Sequence, residues 1–330
     1  MRTNPLINHT DKTVKLEDTP TDGVNVAAWN RSVKCLALLC HWKLLRSYKM
    51  AFHLLALHQK WMRQAQFKTG NSLLAQLEAQ LPQTHGPHIW ACFHIGPYAL
   101  LARTLIRRGH GVAILLRDEV FDEQYPQYIR QFEQNFGRQP TSDELQFVRS
   151  GNTRSLIHLK QLLEKGFHII CYIDGREGGS IQKGWTNIRL HNTPLQVRTG
   201  MAILSHWTGV PLYPLVMTTA DDGKLHVHTT DRIGVRGKED YQKAMTSCYR
   251  ILEKLTAEEL VQWELLPDLF DHIGPEGLTP AKNKPIWVPL DDPGKTLLFD
   301  LVSKRLVTVP TDGFRRLIRL RDRYLKDIDI

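Results

Sequence analysis

Acidic residues are missing from the whole stretch between Asp22 and Glu78, the most informative absence in this 330-residue chain. Across that gap Arg31, Lys34, Lys43, Arg46, Lys49, Lys60, Arg63 and Lys68 supply eight fixed positive charges, with His41, His53 and His58 beside them. A solvated helix face usually mixes signs, so a one-signed run points to an anionic partner. Long apolar runs are missing too. No stretch approaches the roughly 18 apolar residues that a spanning helix needs, so a helical membrane span is not expected. The polar first 24 residues contain no apolar core of a secretory signal. Cysteine is sparse: Cys35, Cys40, Cys92, Cys171 and Cys248 form no CxxC pair. Reduced structural thiols in a cytosolic protein are therefore expected, not zinc or disulfides. Also absent are a G-x-S-x-G elbow, a Walker loop, a dinucleotide GxGxxG and an HExxH, which removes the commoner hydrolase, nucleotide-binding and zinc-protease chemistries.

What is present reads as a globular α/β chain. Hydrophobic content of 42% and charged content of 23% are ordinary for a soluble fold. Ile89 to Phe93 and Val112 to Leu116 are short continuous apolar runs with a helical stretch, Tyr98 to Arg108, between them. Such strands separated by helices indicate a mixed, mainly parallel central sheet with helices on both faces. Strands are expected near 89–93, 112–116, 168–173 and 211–216, and helices over Ser155–Lys165, Thr199–Gly209 and Tyr241–Leu266. Asp118 to Gly151 reads as a polar helix or loop excursion. His94 falls just past the carboxyl end of its strand, where open α/β sheets place ligands, and Pro97 suits the first turn of the next helix.

The segment Phe93-His94-Ile95-Gly96-Pro97-Tyr98-Ala99-Leu100-Leu101 resembles the His-x4-acid block of the lysophospholipid acyltransferase superfamily, and most closely the late acyltransferases of lipid A assembly. His94, Gly96, Leu100 and Leu101 match, and Tyr98 takes the aromatic place. The acidic position is Ala99. Arg117 matches an arginine that in the family helps bind substrate and stabilise the oxyanion. Asp174-Gly175-Arg176-Glu177-Gly178-Gly179 is similar to the glycine-rich acidic third block, and Thr208-Gly209-Val210-Pro211 to the fourth. The likeness covers about 88–265 in the family's block order.

The resemblance implies acyl transfer from an acyl thioester, on acyl carrier protein or acyl-CoA, to a hydroxyl or amine of a lipid-like acceptor. His94 is then the general base, with Arg117 on charge and Gly96, Tyr98, Gly175, Arg176 and Glu177 around substrate. With Ala99 in the acidic place, the carboxylate for His94 must come from another strand end. Asp118, Glu119, Asp174 and Glu177 qualify, and Asp174 is the expected partner. A glutamate restored at position 99 is expected to be tolerated. The alternative is a member that keeps the crevice as a lipid- or acyl-binding module and lacks the chemistry. No cofactor, metal or nucleic acid is expected; His226 and His228 alternate on a strand without further ligands nearby.

Around this core, 1–24 reads as a disordered lead and 25–81 as a basic amphipathic helical region. One helix, Val33 to Phe67, carries Leu38, Trp42, Leu45, Tyr48, Phe52, Leu55 and Met62 at helical spacing. Three readings stay open for it: a core helix that is also basic, an interfacial helix with Trp and Phe dipped into an anionic membrane, or, last of the three, a nucleic-acid-binding helix. The family's habit of membrane attachment favours the second, giving a cytoplasmic protein peripheral on the inner face of the cell membrane. A short helix, Ser72–Leu81, precedes the α/β domain at 82–272. Residues 273–330 read as a hairpin, Lys295–Val309, and a basic helix, Gly313–Tyr324, capped by Asp312.

Overall fold

The computed structural model describes residues 26–45, 47–63, 71–83, 85–152, 154–175, 184–191, 193–273, 285–292, 295–303 and 305–326. Along the chain these form α1 (Val26–His41), α2 (Tyr48–Arg63), α3 (Asn71–Gln80), β1 (Ile89–Cys92), α4 (Leu100–Arg107), β2 (Val112–Leu116), α5 (Asp118–Phe136), β3 (Leu145–Arg149) and α6 (Ser155–Glu164). There follow β4 (His168–Tyr172), β5 (Trp185–Leu190), β6 (Thr193–Arg198), α7 (Gly200–Thr208), β7 (Leu212–Thr219), β8 (Leu225–Thr229), α8 (Tyr241–Tyr249) and α9 (Ala257–Leu260). The last elements are α10 (Leu266–Ile273), β9 (Trp287–Asp292), β10 (Lys295–Asp300), β11 (Leu306–Thr308) and α11 (Thr311–Lys326). The chain divides into two compact units, Gln66–Leu255 and the combination of Met1–Ala65 with Thr256–Ile330. The unit boundaries thus differ from those suggested by composition: α3 goes with the α/β unit, while α9 and α10 go with the other.

The α/β unit is built on a six-stranded sheet in the order β3-β2-β4-β1-β7-β8. Every pairing is parallel except that of β7 with β8. The expected strands all form. Successive side chains on a strand point to opposite faces, and both faces here are buried. Trp90, Cys92, Ile114, Ile170 and Tyr172 pack with Leu101 and Leu105 of α4 and with Phe132 of α5. Ile89, Ala91, Ile169 and Cys171 are buried on the alternate positions, and α6 and α7 pack on β4 and β1. β3 fell inside the stretch read as polar excursion. It is an edge strand on which Val148 alone is fully buried, so its sequence lacks the continuous apolar run that marked the central strands. The β5–β6 hairpin, also unexpected, is polar on alternate positions for the same reason. The long helix expected over Tyr241–Leu266 is broken after α8 by a 3₁₀ turn, and Leu255 and Thr256 take extended backbone before the capping box of Thr256 and Glu259 starts α9.

In the second unit, the single helix expected over Val33–Phe67 is two. Lys43 adopts φ +62°, and the Ser47 hydroxyl accepts the Met50 N–H at 3.1 Å, so α2 starts on a new cap. The apolar stripe is spent on protein. Leu38, Trp42, Leu45, Phe52 and Leu55 are all buried, and α1 packs on α2, α10 and β9. The indole of Trp29 donates to the Pro289 carbonyl at 2.5 Å, and Arg31 pairs with Asp268 at 2.8 Å. Trp42 and Phe52 are therefore core residues, which corrects the picture of these side chains dipped into lipid. The tail is a three-stranded antiparallel sheet, β11-β10-β9, not a two-stranded hairpin. Its Asp300 carboxylate accepts the N–H groups of Ile286 at 2.8 Å and of Val302 at 3.0 Å, which fixes the turn after β10. The lead over 1–24, Arg46 and Lys68 lie outside the described residues. Among the described residues no helix is long and apolar enough to cross a membrane.

Candidate active site

The site begins where β1 runs out. Beyond Cys92 the backbone folds back at Gly96, which takes φ +60°. A Cβ added there would lie 2.0 Å from the Met217 carbonyl oxygen of β7, so this position must be glycine on two counts, sign of φ and close approach. Tyr98 N–H then bonds to the Gly96 carbonyl at 2.9 Å and Leu100 N–H to Pro97 at 3.0 Å, leading into α4. His94 is thereby left at the carboxyl edge of the sheet on a tightly held turn.

β4, the neighbour of β1, ends at the same level, with Cys92 opposite Tyr172. The next turn carries Asp174. Its position is fixed by the Ile173 N–H bonded to Cys92 at 2.9 Å and by the Tyr249 hydroxyl donating to the Ile173 carbonyl at 2.8 Å. Asp174 Oδ2 accepts the backbone N–H of His94 at 2.9 Å, and Oδ1 lies 2.8 Å from His94 Nδ1. The Asp174 side chain is 1% exposed and the His94 side chain 25%. A carboxylate only accepts, so Nδ1 carries a proton, and in the neutral imidazole the lone pair is then on Nε2. This is the arrangement that orients an imidazole for general-base work.

Two tyrosines wall the imidazole. The Tyr172 ring lies 4.6 Å from it and the Tyr98 ring 5.1 Å, centroid to centroid. Burial pushes the Tyr172 phenol well above its usual range, which keeps it neutral. The nearby thiols are equally inert as nucleophiles. Burial, reinforced by Asp174, pushes Cys171 up to about 12, and burial raises Cys92 well above the ordinary thiol range.

The other expected site residues are distributed along the same edge. Arg117 is half-buried and precedes α5 directly after β2. β4 separates β2 from β1, so the Arg117 backbone stands two strand spacings, roughly 10 Å, from that of His94. Asp118 serves a different place, since its carboxylate occupies the space that a side chain on Gly151 would take, 2.4 Å from that Cβ position. Gly175 closes the turn after Asp174, its N–H on the Tyr172 carbonyl at 3.3 Å. Arg176 and Glu177 lie outside the described residues, as does the side chain of Glu119. Sequence reading missed Tyr172 and Tyr249; the only available signal was that Tyr172, two positions before Asp174, shares its side of the strand.

Ala99 is 6% exposed and lines a small, mostly apolar cleft with Ala102, Arg103, Ile106, Ile114, Tyr128 and Phe132. A glutamate there would have to fit this cleft, with Arg103 one helical turn on as the nearby cation. Ala99→Glu is expected to lower stability by about 1–3 kcal/mol, because a longer side chain must be fitted into a small, mostly apolar cleft. Urea denaturation of the two proteins side by side measures it, and an unchanged midpoint would refute it.

Compared with known proteins, the chain matches no family model and no curated protein.

Proposed function

We propose that this protein transfers an acyl group from a thioester to a hydroxyl or amine of a lipid or lipid-like acceptor. The observation that carries the reading is the His94–Asp174 pair, a part-exposed imidazole held through Nδ1 and its own backbone N–H by one buried carboxylate. In the proposed step His94 Nε2 takes the proton from the acceptor O–H or N–H as that atom attacks the thioester carbonyl. The carbonyl electrons move onto oxygen, and the tetrahedral oxyanion then collapses and expels the thiolate. The imidazolium returns its proton to the leaving sulfur, so the base is regenerated and a free thiol and an ester or amide result. Asp174 holds the tautomer and balances the imidazolium charge. Arg117, with a permanent fork of donors at the same edge, suits the charge of the substrate or oxyanion.

The test is release of free thiol from acyl-CoA and from acyl carrier protein in the presence of lipid extract, with the acylated product identified by mass. Thiol release matched by a new ester or amide supports the reading. Absence of both with every chain length and either donor would overturn it and leave the second reading, a binding module of the same fold.

The proposed place of work is an anionic membrane surface, reached through charge and not through insertion. Lys43 and Lys49 are exposed, whereas the apolar side chains of α1 and α2 named above are buried. Pelleting with anionic vesicles is expected to exceed pelleting with neutral ones several-fold and to fall as salt shortens the screening length. Reversing Lys43, Arg46 and Lys49 to glutamate should abolish the difference; equal pelleting of wild type with both vesicle types would refute the surface assignment.

A further inference from the structure

A second opening lies on the same edge of the sheet, at its far end. A cavity of about 570 Å³ sits between the last residues of β3 and the first turns of α6, lined among others by Phe147, Arg149, Asn152, Arg154, Ile157 and His158. Among the described residues that line it, none is acidic. Arg149 lies over the Phe121 ring at 4.0 Å and pairs with Asp122 at 2.7 Å, which holds its guanidinium in place on the surface. The Ser155 hydroxyl oxygen lies 2.5 Å from both the Arg149 and the Asn152 carbonyl oxygens and shares its one proton between them, which ties the start of α6 to the strand end. The α6 N-terminus adds its partial positive charge to the arginines. Beside them Ile157 is 51% exposed, a large apolar side chain at the mouth of a basic cavity. A ligand matched to these walls has a phosphate for the arginines and a branched apolar portion for Ile157 and Phe147.

The sheet register sets this cavity relative to His94. Arg149 is opposite Leu116 of β2, Ile170 of β4 is opposite Ile114, and Tyr172 is opposite Cys92 of β1. Arg149 and Cys92 are thus at nearly the same level, three strand spacings apart, roughly 14 Å along the carboxyl edge. An extended pantetheine arm, with a thioester at one end, a phosphate at the other and a dimethyl-branched carbon next to that phosphate, reaches across such a gap.

We infer that the β3–α6 cavity binds the phosphate end of a phosphopantetheine thioester donor, with Arg149 and Arg154 on the phosphate and Ile157 against the branched carbon. The inference rests on the acyl-transfer reading, and it names which end of the donor lies where: the thioester at His94, the phosphate at β3. Coenzyme A and a carrier-protein prosthetic group share this chemistry.

Calorimetric binding of 4′-phosphopantetheine, pantetheine and coenzyme A to wild type, Arg154→Ala and Arg149→Ala/Arg154→Ala tests it without any turnover. Phosphopantetheine is expected to bind wild type at least tenfold more tightly than pantetheine, with that advantage reduced about tenfold in the single variant and lost in the double one, as charge-assisted phosphate contacts disappear. Melting curves of the variants keep the comparison to folded protein, and Arg154, exposed, is the safer substitution. Equal binding of phosphopantetheine and pantetheine to wild type, or an advantage that survives the double substitution, would overturn the assignment. Coenzyme A binding tenfold better than phosphopantetheine supports it with a free coenzyme as donor, and equal binding supports it with a carrier-borne donor. In turnover assays the double variant should raise KM for acyl-CoA at unchanged kcat and leave acyl-pantetheine unaffected. Phosphate-dependent binding without thiol release would sink only the acyl-transfer reading; thiol release at unchanged KM in the double variant would sink only the cavity assignment.

Discussion

Under the proposed acyl-transfer reading, His94→Ala is expected to reduce transfer to background and Asp174→Asn to lower kcat by about 10²–10⁴-fold, the usual contribution of a positioned general base. The two losses have different origins. Alanine takes away the Nε2 lone pair that would receive the acceptor proton. Asparagine keeps the shape of Asp174 but offers one acceptor oxygen where the carboxylate offers two, and both are in use, on His94 N and on His94 Nδ1. The amide NH₂ then faces one of those donors, so either the imidazole flips its tautomer and loses the Nε2 lone pair or the turn loses its backbone bond. Some loss of stability accompanies this, about 1–3 kcal/mol for a buried unmet group. The readout that separates chemistry from folding is therefore kcat measured at a temperature where melting curves show both variants folded. Thiol release that survives His94→Ala would remove His94 from the base role, and an Asp174→Asn enzyme with wild-type kcat would make Asp174 a purely structural anchor.

Gly96→Ala unfolds or severely destabilises the protein, by at least about 3 kcal/mol, well beyond the ~1 kcal/mol that alanine costs at a positive φ alone. The reason is the Met217 carbonyl, whose oxygen would lie 2.0 Å and whose carbon 2.9 Å from the new Cβ. These are backbone atoms of β7, whose neighbouring segment is hydrogen-bonded to β1 from Leu212 to Leu215, so neither side gives way without opening the ladder. Gly209→Ala supplies the comparison. That glycine closes α7 at φ +70° and has nothing within 4 Å of its Cβ position, so alanine there should cost only the backbone term. Thermal melting of the two variants should differ by several degrees, Gly96→Ala lower; equal melting temperatures would mean that the turn carrying His94 is looser than its contacts imply.

Several things were determined by the sequence alone. Continuous apolar runs at 89–93, 112–116, 168–173 and 211–216 became the central parallel strands, because a strand covered on both faces leaves no polar position and its signal is local. The helix closing on Gly209 formed as read, since an αL glycine ends a helix by its own backbone freedom. Elements with weak local signals were not legible: β3 on the sheet edge, the β5–β6 hairpin, and the division of the basic stretch into α1 and α2. In the last case the apolar period runs on past the break, while the turn depends on Lys43 and the Ser47 cap.

The site divides in the same way. That His94 and Asp174 follow buried strands, at carboxyl ends, was readable, and so was the preference for Asp174 as partner. Their contact spans 80 positions and exists because β4 inserts beside β1, an adjacency that no local pattern encodes. Tertiary structure alone decided that Ala99 lines a cleft with Arg103 and Phe132, that Asp118 fills the space left by Gly151, and that Trp42 and Phe52 are enclosed by protein. Spacing along a helix or strand says which side chains share a face. What that face meets is set by strand order and by pieces of chain brought from far away, as when residues 256–330 complete the unit that residues 1–65 begin.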